Sequence, residues 1–471
     1  VPGDWGVFED IYCTKEETFN FIEKILDEVA ELFPGEYIHR GGDEVPKVRW
    51  ERCEKCQSVL QQNKLKNEEA LQSYFINRIE KYLKTKNKKL IGWDEILQEG
   101  LSKNATVMSW RGFKGGIKAA KQAHYVVMSP GSHCYFDHYQ GKSKEEPLAI
   151  GGYTPLKKVY DFDPIPDGLT SSEADYILGG QANLWTEYIP NMKALEYMAY
   201  PRAIALSQVL WCIEKPSYES FYTTLARRHF KILDNLGVNY SKTSQRPKII
   251  FEGCKEGITI RLESKDTLET FETTVTSSNK KSILQFELTN NTALVLGNTR
   301  HKKIKSNIGF TSKNSALHSE IELIRHIGLG ADIIYQTAPN PQYHSSDIVL
   351  LDGQRGARPW RGNEWIGFDT SNIVFEIKLG KKRKIKHIDL SFLESKGSWI
   401  YLPNKIEIEA FSRNSSTLYS LSNINNENLQ FRIGKRTNKL KFQIVTPQFI
   451  PDGEPGAGHK PWTFIDEIVI H

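Results

Sequence analysis

Cysteine is scarce in this chain: six residues in 471 are too few for a disulfide scaffold. Only Cys53 and Cys56 sit close together, in the run CEKC. A four-ligand zinc site needs a second such pair, and the sequence offers none nearby. Structural thiols or a local disulfide is the first reading of this pair, with metal or redox chemistry the second. No metal and no other cofactor is expected.

Long apolar runs are missing as well. No stretch approaches the roughly 18 residues that span a bilayer, so no membrane span is expected. Val1 opens no basic-then-apolar segment, which places any targeting signal outside this sequence. Charge of one sign is also wanting. Against 62 Lys and Arg stand 57 Asp and Glu, a net +5 far from the basic stripe of a nucleic-acid binder. A phosphate-cradling glycine fingerprint is absent too.

What the chain does have is alternation. "KEETFNFIEKILDEVAELF" repeats apolar residues at helical spacing after a candidate cap, Thr14, and stops before Pro34. "YIHRGGDE" then reads as a buried strand running into a loop. Helix-like and strand-like runs continue through "KLIGWDEI", "TVMSWRG", "YVVMSP" and "YILGGQANLW" to about residue 236. Strands alternating with helices imply a parallel α/β sheet, here of about five strands. Five strands cannot close a barrel. The sheet is therefore either open and doubly wound, or the C-terminal portion of a (β/α)8 TIM barrel whose first three strands precede Val1. The acidic and aromatic loops favour the barrel.

Beyond about residue 245 helical periodicity gives way to short alternating runs between turn residues. These read as two β-sandwich domains, 245–332 and 333–471, after the α/β, partial-barrel domain over 1–240. The basic run Lys381 to Lys384 reads as a solvated turn.

The adjacent acids Asp43 and Glu44 pose the chemical question. Neighbours on an extended strand face opposite ways, so both can serve one pocket only if the backbone bends, which Gly41 and Gly42 permit. One acid can stay ionised while apolar surroundings leave the other a proton to donate. A solvated loop that caps the next helix is the bland alternative. Trp93, Trp110 and Trp185, each at a different strand end, offer flat faces for a sugar ring.

In order, "HRGGDE", "GWDEIL", "VMSWRG", "YFDHYQ", "GGYTPL" and "GGQANLWTE" resemble the family 20 glycoside hydrolases, the β-N-acetylhexosaminidases, over roughly residues 1 to 236. That resemblance implies an exo-acting, retaining enzyme in which the substrate's own 2-acetamido oxygen attacks the anomeric carbon. It implies Glu44 as general acid and base, Asp43 as the partner of the acetamide, and Tyr135 as a donor to the acetamide oxygen. Trp93, Trp110 and Trp185 would wall the sugar, Asp137 and Glu187 would hold its hydroxyls, and His39 would support the loop. The implied partner is a glycan ending in β-linked N-acetylglucosamine or N-acetylgalactosamine, met in the periplasm, on the outer surface or outside the cell.

The chain departs from the family in two places. Nothing matches the arginine and Pro-Gly-His stretch of the early strands, and Ile150 stands where several members carry a pocket tryptophan. An upstream segment or a companion chain is expected to complete the barrel. The first β section resembles the small sandwich that follows the barrel in bacterial members. The second, through "LLDGQRG", "WIGFD", "IKLG" and "FIDEIVI", resembles a galactose-binding-like, factor 5/8-type domain. Two other readings stay open: an ordinary two-carboxylate glycosidase with Glu187 as nucleophile, and a non-catalytic glycan-binding protein with a degenerate barrel.

Overall fold

A computed structural model describes residues 7–97, 101–141, 146–246, 248–254, 257–263, 270–277, 280–289, 293–297, 304–312, 318–357, 364–413, 415–454 and 456–471. The opening stretch "VPGDWG" lies outside them. The chain divides into two compact units. One comprises Val1–His138 with Thr154–Ser241, the other Tyr139–Tyr153 with Lys242–His471.

In the first unit the apolar spacing of helix α1, Glu16–Leu32, buries Phe19, Ile22 and Leu26. The helix starts later than the sequence suggested: its cap position is Lys15, with no side-chain cap bond. Thr14 instead is buried beside Cys56. After strand β1, Tyr37–His39, come the short helices α2, Val48–Arg52, and α3, Glu54–Gln62. The long helix α4, Glu68–Thr85, is capped by the Asn67 side chain accepting from Ala70 N–H at 3.0 Å.

Strands β2 (Lys89–Trp93), β3 (Thr106–Ser109), β4 (Val126–Met128) and β5 (Ile177–Gly180) complete one parallel sheet in the order β1-β2-β3-β4-β5. Each strand pairs with its successor in sequence. That is singly wound; a doubly wound sheet reverses its order at a switch point. Because every strand runs the same way, all five C-terminal ends share one edge of the sheet.

The sequence reads β1 as buried, but only Ile38 is; Tyr37 is half-buried and His39 exposed. β1 and β5 each pair on one side only among the described residues, and β5 is likewise half-exposed. β3, covered on both sides, is buried throughout. Phe19, Ile79, Leu90, Val107 and Val126 belong to one core that spans α1, α4 and the strands. Each such side chain contributes roughly 1.5–3 kcal/mol by leaving water.

The apolar stretch "ALEYMAYPRAIALSQVLW" forms two helices, Met192–Ala199 and Arg202–Trp211, because Pro201 has no N–H to continue the first.

The second unit is antiparallel. Strands Ala293–Gly297, Gly257–Glu263 and Lys248–Cys254 form a three-stranded sheet, and His318–Arg325, Ile304–Ser312, Thr270–Ser277 and Lys280–Thr289 a four-stranded one. An eight-stranded sheet is built around the long strands Asn372–Leu393 and Asn428–Val445. Lys381 to Lys384 is no separate turn. It lies inside the first of those strands, where the register shifts between Lys378 and Arg383; the irregularity absorbs extra residues while the strand continues.

In "FIDEIVI", Asp466 and Glu467 interrupt the strand and are buried. His326 Nε2 lies 2.6 Å from Glu467 Oε1, and Arg355 Nη1 2.9 Å from Asp466 Oδ1. Burial pushes the Glu467 carboxyl well above its ordinary range.

Candidate active site

Past β1 the chain keeps pairing with β2 for two residues: Arg40 N–H donates to Ile91 O at 2.9 Å and Trp93 N–H to Gly41 O at 3.0 Å. It then turns through three positive φ angles, +68° at Gly41, +99° at Gly42 and +45° at Glu44. Gly42 is required twice over. An L side chain is strained at that φ, and a Cβ would sit 2.6 Å from Ile96 Cγ2. Glu44 carries such strain without being glycine, a feature that concentrates at functional loops. Gln72 Nε2 holds Gly42 O at 2.9 Å, and Lys47, bonded to Gln72, reaches Val45 O at 2.9 Å. This clamp fixes the loop while leaving Asp43 and Glu44 exposed to solvent.

His39 accepts the Gly41 N–H on Nδ1 at 3.1 Å, a bond open only to an unprotonated nitrogen. Crowding of the ring pushes its pKa below the usual value, against the opposing charge of Asp43, although the residue keeps solvent contact. A neutral imidazole beside the loop follows. It supports the backbone and packs edge-on to Trp93, with ring centres 4.8 Å apart.

The three tryptophans converge with Tyr135. Trp93 lies 6.4 Å from Trp110 and 6.0 Å from Trp185, centre to centre. Tyr135 is stacked with Trp110 at 6.2 Å and lies 6.5 Å from Trp185. These rings come from the ends of β2, β3 and β5 and the segment after β4. Trp93 is buried at 7% exposure, whereas Trp185 is open at 42%. Trp110 is oriented by Glu95, and Arg111 Nε holds the buried Asp94 at 2.6 Å. The acids of "GWDEIL" therefore serve the wall itself.

Asp137 is 4% exposed, and its Oδ1 has no hydrogen-bond partner. Burial raises its pKa to about 6; Arg202 opposes the shift and Glu187 adds to it. A buried carboxylate oxygen without a donor suits a ligand that brings hydroxyl groups. The Tyr135 hydroxyl is pushed up to about 12, first by burial, with hydrogen bonds to Trp185 and Asn183 lowering it and the charges of Asp137 and Asp43 raising it. It stays a proton donor at neutral pH. Asp43, Tyr135, Asp137 and Glu187 are thus joined by their electrostatics, with His39 and the tryptophans around them; Glu44 stands next to Asp43 on the same loop.

Sequence reasoning missed two supports. Arg202 is fully buried and donates to the carbonyls of His138 and Thr154, each at 3.0 Å, and to that of Phe136. It thereby fixes the backbone on both sides of Asp137. An arginine inside the apolar run "YPRAIALSQVLW" was the available signal. Asn183 bridges β5 to the Tyr135 segment: its N–H donates to Cys134 O at 2.8 Å, its O accepts from Phe136 N–H at 2.7 Å, and its side chain donates to Ser129 Oγ at 2.8 Å.

Residues 2–214 match the family model described as glycosyl hydrolase family 20, catalytic domain. A β-hexosaminidase of Porphyromonas gingivalis is 50% identical over 239 residues, which cover 50% of this chain and 31% of that protein. A β-hexosaminidase of Vibrio furnissii is 36% identical over 197 residues, or 40% of this chain and 32% of that one. The chain thus spans about a third of the length of these curated relatives. Among solved structures, a GH20 exo β-N-acetylglucosaminidase from Vibrio harveyi, in complex with N-acetylglucosamine, is similar at 31% identity with a TM-score of 0.45. That similarity covers 48% of this chain and 36% of that one.

Proposed function

We propose that this chain, whose residues 2–214 match the catalytic-domain model of glycosyl hydrolase family 20, carries the catalytic centre of an exo-acting, retaining β-N-acetylhexosaminidase. The observation that carries this reading is the position of Tyr135. Its hydroxyl feels the charges of both Asp43 and Asp137, and its ring lies against Trp110 and near Trp185. Acid, phenol and aromatic walls from separate strand ends are what an N-acetylated sugar needs.

In the proposed reaction the sugar's acetamide oxygen attacks the anomeric carbon while Glu44 gives its proton to the leaving glycosidic oxygen, and the C–O bond breaks. A cyclic oxazolinium forms. The Asp43 carboxylate accepts the acetamide N–H and offsets the positive charge, and Tyr135 O–H donates to the acetamide oxygen. Water then attacks the anomeric carbon from the vacated face, losing its proton to Glu44 while the bond from that carbon to the acetamide oxygen breaks; the acetamide is regenerated and the configuration is retained. Asp137 and Glu187 accept sugar hydroxyls, and Trp93, Trp110 and Trp185 wall the ring and the acetamide.

Singly wound strands with their loops at one edge support placing this centre at the mouth of a (β/α)8 barrel. The half-exposed edges β1 and β5 are where further strands would close it.

Glu44→Gln tests the assignment. Hydrolysis of an aryl β-N-acetylglucosaminide is expected to fall by about 10²–10⁴-fold with KM little changed. Retention of full kcat would remove Glu44 from the chemistry.

A further inference from the structure

The CEKC pair has a third neighbour that its spacing did not reveal. Cys13 precedes α1, Cys53 stands between α2 and α3, and Cys56 lies in the first turn of α3. Cys13 Sγ is 3.5 Å from Cys56 Sγ and 3.8 Å from Cys53 Sγ, and all three sulfurs fall within 4.8 Å of one another. We propose that Cys13, Cys53 and Cys56 bind one thiophilic cation of the zinc class as three thiolates, with water in the fourth position.

The spacing fits a shared cation. A disulfide brings two sulfurs to about 2.05 Å. Sulfurs about 2.3 Å from a tetrahedral zinc stand about 3.8 Å apart, close to the 3.5 and 3.8 Å that separate Cys13 from Cys56 and Cys53. The surroundings fit as well. Backbone N–H groups of Cys56 and Lys55 are directed at the Cys53 sulfur, and that of Thr14 at the Cys56 sulfur. Such donors orient and stabilise metal-bound thiolates.

Cys56 is fully buried among Trp50, Leu71, Ile11 and Val59, where a thiolate is stable only beside a compensating cation. On binding, three thiol protons leave to solvent and three S–metal bonds form, with no change of oxidation state. The result is a cross-link. It ties the chain before α1 to the α2–α3 turn and so brackets the loop that carries Asp43 and Glu44, stiffening it without entering the chemistry.

The test uses the whole 471-residue chain, reduced and free of chelator. Elemental analysis after dialysis against Zn(II) is expected to find about one zinc per chain, and Co(II) in its place to give the intense near-ultraviolet absorption of cobalt thiolates. Cys13→Ser and Cys53→Ser, both at partly exposed positions, are expected to weaken binding at least about tenfold, whereas Cys254→Ser, in the other unit, leaves it unchanged. Cys56→Ser is less decisive because its site is fully buried. A Cys13–Cys53 or Cys13–Cys56 disulfide in the purified chain overturns the proposal. So does a folded, reduced chain, by circular dichroism, that retains no Zn(II) or Co(II) and alkylates at all three cysteines.

Discussion

The indole Nε1 of Trp110 lies 3.0 and 3.2 Å from the two carboxylate oxygens of Glu95, so one N–H is shared between both. Burial raises the Glu95 pKa and this bond lowers it again. An acid at the end of β2 thereby sets the plane of a ring at the end of β3. The wall is held as a unit rather than packed residue by residue.

If that bond orients the wall, Trp110→Phe costs more than its lost area. KM for an aryl β-N-acetylglucosaminide should rise roughly tenfold or more, with a smaller effect on kcat, since one misplaced wall weakens binding by about 1–2 kcal/mol. Glu95→Gln, which keeps an acceptor for the indole, should do less. Steady-state kinetics on the two variants separates the contributions.

Asp137 sets a pH dependence with opposite signs for binding and folding. Its pKa of about 6 lies above the ordinary carboxylate value, so between about pH 4 and 6 the folded chain holds a proton that the unfolded chain has released. Stability from this group is full at low pH and falls as pH rises through that window, by at most about 3 kcal/mol. Only the ionised form accepts two sugar hydroxyls, so kcat/KM should rise with pH through about 6. Asp137→Asn should flatten both limbs while lowering kcat/KM; melting curves and kinetics across pH 4–8 check this.

Arg202→Met should be among the most damaging substitutions in the first unit. It keeps the apolar stem but strips donors from the buried carbonyls of Phe136, His138 and Thr154, a loss of about 3–5 kcal/mol. Urea unfolding measures it. In whatever fraction stays folded, the acidic limb of kcat/KM should move to higher pH, because Arg202 is the cation that lowers the Asp137 pKa.

Much of this was legible in the sequence because it rests on local pattern. Helical spacing in α1 and α4, apolar strands and the residues following them require only neighbours along the chain. The adjacent acids were legible for the same reason: two glycines announce a bend, and the positive φ angles at Gly41, Gly42 and Glu44 supply it. What escaped depends on contacts across the fold. Arg202 meets the Asp137 segment, and Cys13 meets Cys53 and Cys56, only after helices and strands have packed. The half-exposure of β1 likewise follows from its place at the sheet edge rather than from its composition. Inside Asn372–Leu393, turn-like basic residues were absorbed by a register shift that no spacing rule reveals.

The central claim is that the acetamide of the substrate is the nucleophile, with Asp43 and Tyr135 holding it and Glu44 moving the proton. It is tested most directly by kcat/KM on a series of aryl β-glucosaminides whose N-acetyl group carries zero, one, two or three fluorines. Fluorine withdraws electrons from the carbonyl oxygen with little change in shape. Substrate assistance predicts a steep fall along the series, by about 10²-fold or more overall, in the wild-type chain. A nearly flat series would contradict it and return the nucleophile to a carboxylate of the protein.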